Sequence, residues 1–66
     1  MKNRLKVARA EMDVTQGELA ERVGVTRQAV NSIELGKYVP STVLALKMAR
    51  VLGKRVEELF QLEEGD

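Results

Sequence analysis

Four polar side chains on one short segment have the chemistry to recognise nucleic-acid bases. The segment from residue 16 to residue 34 reads QGELAERVGVTRQAVNSIE, and these side chains are Arg27, Gln28, Asn31 and Ser32. An arginine fits the O6 and N7 atoms of guanine, and a glutamine or an asparagine fits the N6 and N7 atoms of adenine. The alternative is an ordinary solvated helix face. Which interpretation holds depends on the elements that position these side chains.

The first half of this segment has the pattern of a short helix followed by a tight turn. Thr15 and Glu18 form a capping-box pair, which predicts that the helix begins at Gln16. Ala20 is small enough to let another helix cross steeply above it. Gly24 readily adopts the positive φ that the turn requires. We therefore predict a helix and a turn that bring the next helix across the first one.

The second half of the segment predicts the helix that carries the four polar side chains. Thr26 is placed to cap this helix, which we expect to span Arg27–Leu35 and to end at Gly36. Its inner face is apolar and consists of Ala29, Val30 and Ile33. The outer face then holds the four polar side chains, which favours a surface that reads bases.

The rest of the chain predicts three more helices and no strand. An apolar stripe indicates a first helix over roughly residues 2–12. A fourth helix is expected over Val43–Leu52, with a cap at Ser41 or Thr42. A short fifth helix begins at Arg55, which is a poor capping residue. We therefore predict an all-α fold of five helices.

The composition excludes several classes of protein. The 66 residues suffice for one small domain, which we place at residues 1–61, followed by an acidic tail at residues 62–66. The chain has no Cys and no His, so disulfides, the usual zinc ligands and histidine-based catalytic pairs are excluded. We expect no metal, no cofactor and no enzymatic activity. No apolar run resembles a membrane span or a signal peptide, which predicts a cytoplasmic location.

The charge of the chain is close to neutral but unevenly distributed. The formal net charge is +1. Residues 1–38 contain seven basic and five acidic residues, whereas residues 39–66 contain four basic and five acidic residues. The basic excess therefore lies in the part of the chain that carries the helix pair, as a nucleic-acid binder requires.

The sequence resembles the helix-turn-helix family of phage repressors and Cro, often called the Xre family. The resemblance lies in the stretch TQGELAERVGVTRQAVNSIELGKYVPS, and the later stretch LALKMARVLGKRVEELF resembles the last two helices of a compact bacterial and archaeal branch. It implies a lambda-repressor-like domain with its helix-turn-helix at helices two and three. It also implies a regulator that binds duplex DNA with Arg27–Leu35 in the major groove.

The resemblance also assigns roles to individual residues. It places Arg27, Gln28, Asn31 and Ser32 at base-reading positions. It places Gln16, Thr26, Lys37 and Tyr38 against the DNA phosphates, although Tyr38 has the alternatives of stacking or of packing against the domain. It pairs Arg9 with Glu34 in a structural salt bridge between helices one and three.

The fourth helix carries more apolar residues than one core-facing stripe needs. Together with a residue of the fifth helix, the surplus suggests a dimer surface formed by Val43, Leu44, Val51 and Phe60. A homodimer would bind a palindromic operator, and repression is the simplest result of such binding. The alternative function is that of an antitoxin or adaptor whose main partner is another protein.

Overall fold

The chain folds into five helices and a two-stranded antiparallel sheet that joins its two ends. In the computed structural model, which describes all 66 residues, the strands are β1 (Lys2–Asn3) and β2 (Phe60–Gln61). The helices are α1 (Leu5–Met12), α2 (Gln16–Val23), α3 (Arg27–Glu34), α4 (Thr42–Leu52) and α5 (Val56–Leu59). The prediction of a five-helix fold is confirmed. None of these helices combines the length and the apolar character needed to cross a membrane.

The start of α2 is fixed by the predicted capping box. The Thr15 hydroxyl accepts the Glu18 N–H at 3.0 Å, and the Glu18 carboxylate accepts the Thr15 N–H at 3.0 Å. These two bonds satisfy backbone donors that have no partner within the helix. The hydrogen bonds to Thr15 hold the pKa of the Glu18 carboxyl below its usual value. The helix begins at Gln16, as predicted.

Hydroxyl caps also fix the starts of α3 and α4. Thr26 accepts the N–H of Ala29 at 3.1 Å, and Ser41 accepts the N–H of Leu44 at 3.1 Å. Caps of this kind stabilise a helix by about 1 kcal/mol. The cap of α4 is therefore Ser41, and the helix begins at Thr42.

Left-handed backbone geometry ends three of the helices. Gly24 has a φ of 78° after α2, and Gly53 has a φ of 64° after α4, as expected for glycines at these ends. Asp13 ends α1 with a φ of 55°, which is uncommon for a residue with a side chain. The helix α3 ends at Glu34, one residue earlier than predicted, and Leu35 is its C-cap.

The start of α1 differs from the prediction. Lys2 and Asn3 are extended and pair with Gln61 and Phe60, so the expectation that the chain has no strand is wrong. The Asn3 side-chain oxygen accepts the N–H of Leu5 at 3.2 Å, and the helix starts there. Strands of two residues show no hydrophobic alternation, and their partners lie at opposite ends of the chain. The local sequence pattern therefore could not reveal them.

One hydrophobic core unites all five helices and the sheet. Its largest fully buried side chains are Leu5, Leu19, Val30, Ile33, Met48, Leu52 and Leu59. The helix α4 is apolar on two faces because it packs against α1, α2 and α5 together. The surplus of apolar residues on α4 thus serves mainly the core of the chain itself.

The burial of α4 and β2 corrects the predicted dimer surface. Leu44 is 8% exposed and Phe60 is 7% exposed, so both belong to the core and offer little free surface to a second copy of the chain. Val51 is partly buried against the same core. Of the predicted set, only Val43 has a largely free side chain, with 63% of its surface exposed.

The ends of α5 and of the chain are ordered by carboxylates. Arg55 offers no side-chain cap, but the Glu58 carboxylate accepts the Arg55 N–H at 2.8 Å and so supplies half of a capping box. In the acidic tail, Asp66 accepts the N–H of Glu63 at 2.7 Å. The carboxylates of Glu63 and Asp66 lie 3.0 Å and 3.1 Å from the ammonium nitrogen of Met1. The tail is therefore folded back toward the N-terminal residue rather than extended.

A bidentate ion pair connects α1 to α3. Arg9 Nε lies 2.6 Å from Glu34 Oε2, and Arg9 Nη2 lies 3.1 Å from Glu34 Oε1. Arg9 Nη1 also donates to the carbonyl of Val14 at 2.9 Å. The side chains of Arg9 and Glu34 are only 14% and 6% exposed. Burial disfavours the charged carboxylate, but hydrogen bonds from Arg9 and Gln16 outweigh it and lower the pKa of Glu34.

We expect Glu34→Gln to lower the free energy of unfolding by about 1–3 kcal/mol, because it leaves the buried Arg9 guanidinium without its anion. The pKa of Glu34 is lowered in the folded state. The ion pair therefore stabilises the fold at neutral pH, and this contribution disappears as the pH falls through the lowered pKa. Urea denaturation should show the difference between wild type and variant shrinking on acidification.

The matched control is Glu21→Gln, which makes the same chemical change at an exposed position of α2. It should change the free energy of unfolding by less than about 0.5 kcal/mol. Equal stabilities of the two variants at pH 7 would contradict a stabilising role for the ion pair.

Candidate nucleic-acid interface

The turn between α2 and α3 sets the position of the candidate surface. Ala20 is 3% exposed, which is consistent with the close helix crossing predicted there. The Val25 N–H donates to the Ala20 carbonyl at 3.0 Å across the left-handed Gly24. On α3, Val30 and Ile33 are essentially fully buried and fix the rotation of the helix about its axis. The opposite side of α3 therefore faces solvent.

The structure brings the four predicted base-reading residues onto this outer side. Arg27, Gln28 and Asn31 are exposed, and Ser32 is half-buried. Arg27 lies one helical turn before Asn31, and Gln28 lies one turn before Ser32, so the four side chains form two adjacent rows. Neither Arg27 nor Gln28 makes a side-chain hydrogen bond within the chain, so both are free to contact a ligand.

A hydrogen-bond network runs from the ion pair to this surface. Gln16, at the start of α2, donates from Nε2 to Glu34 Oε1 at 3.0 Å. The same Nε2 atom donates to Asn31 Oδ1 at 3.1 Å. The buried pair of Arg9 and Glu34 is thereby linked to a side chain on the outer face of α3. Asn31 is the only one of the four candidates that the chain holds in this way.

This network revises the expectation for Gln16. Both hydrogens of its amide are donated to Glu34 and Asn31, so its side chain has no donor left for a phosphate oxygen in this arrangement. The backbone N–H groups of Gln16 and Gly17 lie in the first turn of α2 and have no partner within the helix. An anion is favoured at such a position.

The other predicted phosphate contacts lie around the same face. The Thr26 hydroxyl accepts the Ala29 N–H and keeps its own hydrogen as a donor. After α3, Gly36 has a φ of 76°, and the Lys37 N–H donates to the Ser32 carbonyl at 2.9 Å, so the loop is tied to the helix end. The Lys37 side chain is exposed, and 51% of Tyr38 is exposed, so Tyr38 is not a core residue.

An open cleft joins the start of α2 to the start of α3. It is lined by Arg9, by residues of the α1–α2 connection, by Gln16 and Gly17 of α2 and by Arg27. Arg27 thus lies on the same concave surface as the free backbone donors of α2. A basic side chain beside two unpaired N–H groups is suited to an anionic ligand.

Two functional features of this region had no clear signal in the sequence. Asn3 donates from Nδ2 to the Ile33 carbonyl at 2.8 Å and so holds the end of α3 against β1. The link between Gln16 and Asn31 joins residues 15 positions apart on different helices. Both depend on the tertiary arrangement of the helices. No group of three or more His, Cys, Asp or Glu side chains is arranged to bind a metal ion.

The fold and the exposed face of α3 define a helix-turn-helix domain. The Helix-turn-helix family model matches residues 5–59, which is most of the chain. The chain therefore belongs to this Xre- and Cro-like family of DNA-binding transcriptional regulators, which are not enzymes. The prediction of the family from the sequence is confirmed.

Relatives of nearly the same length are also described as helix-turn-helix transcriptional regulators. The chain is 50% identical over 64 residues to an uncharacterised HTH-type transcriptional regulator of Bacillus subtilis, and the match covers 97% of each chain. It is 46% identical over 66 residues to another such regulator from Methanocaldococcus jannaschii, with both chains fully covered.

A solved structure shares the fold. The crystal structure of the hypothetical transcription factor NHTF from Neisseria superposes with a TM-score of 0.75 at 26% sequence identity. The match covers 82% of this chain and 61% of that longer chain. The comparison therefore supports the fold rather than the activity of the whole Neisseria protein.

Proposed function

We propose that this protein recognises a specific duplex DNA sequence by inserting α3 into the major groove. The observation that carries the proposal is the group of three exposed polar side chains on α3, on a helix whose opposite side is buried in the core. Arg27, Gln28 and Asn31 offer the donors and acceptors that match base edges in that groove. Ser32 is half-buried and would make the most restricted contact of the four.

Phosphate contacts on both sides of α3 would supply affinity and fix the register. The backbone N–H groups at the start of α2, the Thr26 hydroxyl, and the exposed Lys37 and Tyr38 are the groups we assign to them. Phosphate contacts position a protein on DNA, whereas base contacts determine the sequence. The basic excess of residues 1–38 favours the approach of DNA to this half of the chain.

We further propose a homodimer that binds a palindromic operator. Two copies of α3 would enter successive major grooves about 34 Å apart. The apolar side chains of Val39, Val43 and Leu46 are each more than half exposed, and we assign the dimer surface to them because Leu44 and Phe60 are mostly buried. Val39 and Leu46 line one shallow groove together with Pro40. Bound to an operator in the cytoplasm, such a dimer would act most simply as a repressor that blocks the polymerase.

The alternative function is that of an antitoxin or adaptor. The same exposed side chains of Val39, Val43 and Leu46 would also fit a different protein. A stable complex with another protein from the host, together with no selective DNA binding by the pure chain, would favour this alternative. Selection of bound sequences from random duplexes by the purified protein tests the first function directly, because a dimeric regulator yields a consensus with two half-sites.

Gln28→Ala should weaken binding to the selected operator by about 1–3 kcal/mol and relax the preference at one base pair per half-site. The physical reason is the loss of an exposed amide that faces the groove in the proposed complex. Titrations with operator and with random duplex compare the two losses. Equal weakening on both duplexes would show that Gln28 does not read a base.

Lys37→Ala should weaken binding to all duplexes alike, because a phosphate contact is independent of sequence. The plot of log K against log salt concentration should become shallower by about one unit. The control is Lys54→Ala, which removes the same charge from a lysine that pairs with Glu11 at 3.5 Å, away from α3. A slope that changes equally in both variants would contradict the contact.

Leu46→Glu should convert a dimer into monomers, because it places a charge in the proposed apolar interface. Sedimentation equilibrium measures the mass. The control is Leu62→Glu, at a tail position that is 80% exposed, and it should leave the dimer intact. A wild-type chain that is monomeric, or a Leu46→Glu variant that stays dimeric, would contradict the proposed surface.

A further inference from the structure

The hydrogen-bond network beneath α3 has a fixed direction. Glu34 is paired with Arg9 through both of its oxygens, so it is ionised and can only accept hydrogen bonds. Gln16 approaches Glu34 Oε1 to 3.0 Å. The atom that Gln16 turns toward the carboxylate must be its amide nitrogen, because an amide oxygen there would meet another acceptor. The ion pair thereby decides which way the Gln16 amide faces.

The orientation of Gln16 decides that of Asn31. An amide nitrogen donates two hydrogen bonds and accepts none. One hydrogen of Gln16 Nε2 goes to Glu34, and the second points to Asn31 at 3.1 Å. Asn31 must therefore turn its oxygen toward Gln16. Its own Nδ2 group is then left on the exposed side of the residue, without a partner in the chain.

We infer that Asn31 reads the operator as a hydrogen-bond donor, and that Gln16 is the positioning residue that sets this polarity. The inference rests on the proposed function of α3. The matching partners at a base edge are acceptors: guanine offers O6 and N7 and thymine offers O4, whereas adenine places the N6 donor beside its single acceptor N7. The usual pairing of asparagine with adenine requires its oxygen and its nitrogen to face the same base edge. In this chain Gln16 draws that oxygen toward α2.

Asn31→Asp is the most direct test. One carboxylate oxygen keeps the bond from Gln16, and the other replaces the outward donor with an acceptor. In selection from random duplexes, Asn31→Ala first identifies the base position that depends on residue 31. Wild type should select guanine or thymine there. Asn31→Asp should shift the preference to cytosine, whose N4 amino group is a donor, by about tenfold in relative affinity.

Gln16→Met tests the positioning role without adding a charge. The methionine has nearly the same length but no donor, so the Asn31 amide is free to turn over. At the base position that depends on residue 31, this variant should bind a duplex with adenine as tightly as a duplex with the base that wild type selects. The matched control is Gln61→Met, since Gln61 also donates two hydrogen bonds from Nε2, to the carbonyls of Glu57 and Glu58, but lies on β2. It should keep the wild-type preference.

The outcomes separate this inference from the proposed function. No consensus from wild-type protein would overturn the function and the inference together. A clear two-half-site consensus with adenine at the residue 31 position, or an unchanged preference in both Asn31→Asp and Gln16→Met, would overturn the inference alone. If Asn31→Asp does not fold, as judged by circular dichroism, the comparison of Gln16→Met with Gln61→Met still decides the question.

NMR of the free protein gives a second readout that needs no DNA. The side-chain amide protons of Gln16 should be protected from exchange, whereas those of Asn31 should exchange like a free amide. Asn31→Ala should remove part of the Gln16 protection. An Asn31 amide that is as protected as that of Gln16 would overturn the inference, because its nitrogen would then be bonded within the chain.

Discussion

The position of α3 depends on the bidentate ion pair between Arg9 and Glu34. Its two side chains lie almost entirely out of water, at the junction of α1, α3 and the loop before α2. A charge buried there without its partner would cost about 1–3 kcal/mol, so displacements of α3 that separate the two groups are disfavoured. Apolar packing alone is less directional, because apolar side chains of similar volume can substitute for one another at modest cost. The ion pair thus adds a specific orientation to a core that supplies most of the stability.

The ion pair also organises the polar groups around it. Glu34 orients Gln16, Gln16 orients Asn31, and Asn3 separately holds the end of α3 through the Ile33 carbonyl. Each step follows from the number of donors and acceptors that a side chain has. A buried interaction is in this way transmitted to an exposed side chain through only two intermediate bonds. No movement of the backbone is needed for this coupling.

Local features of the fold were predictable from sequence, and features that join distant residues were not. The caps at Thr15 and Thr26 and the glycine at position 24 act within a few residues, so the local sequence predicts them. The sheet and the Asn3 contact join segments that are 30 or more positions apart. The burial of Leu44 follows from the packing of α4 on three other helices, and that of Phe60 from the position of β2 against the same core, neither of which helical periodicity specifies.

The exposed side chains of α3 differ in how much freedom they would lose on binding. Asn31 is already held by Gln16, whereas Arg27 and Gln28 make no hydrogen bond within the chain. Ordering a flexible side chain at an interface costs about 0.5–1.5 kcal/mol. In the proposed complex, Arg27 and Gln28 would meet this cost, but they could adapt to different neighbouring bases. Asn31 avoids most of this cost, but the group that it turns outward can act only as a hydrogen-bond donor. In the proposed complex, one fixed and two adaptable side chains would therefore make recognition strict at one base pair and more tolerant at its neighbours.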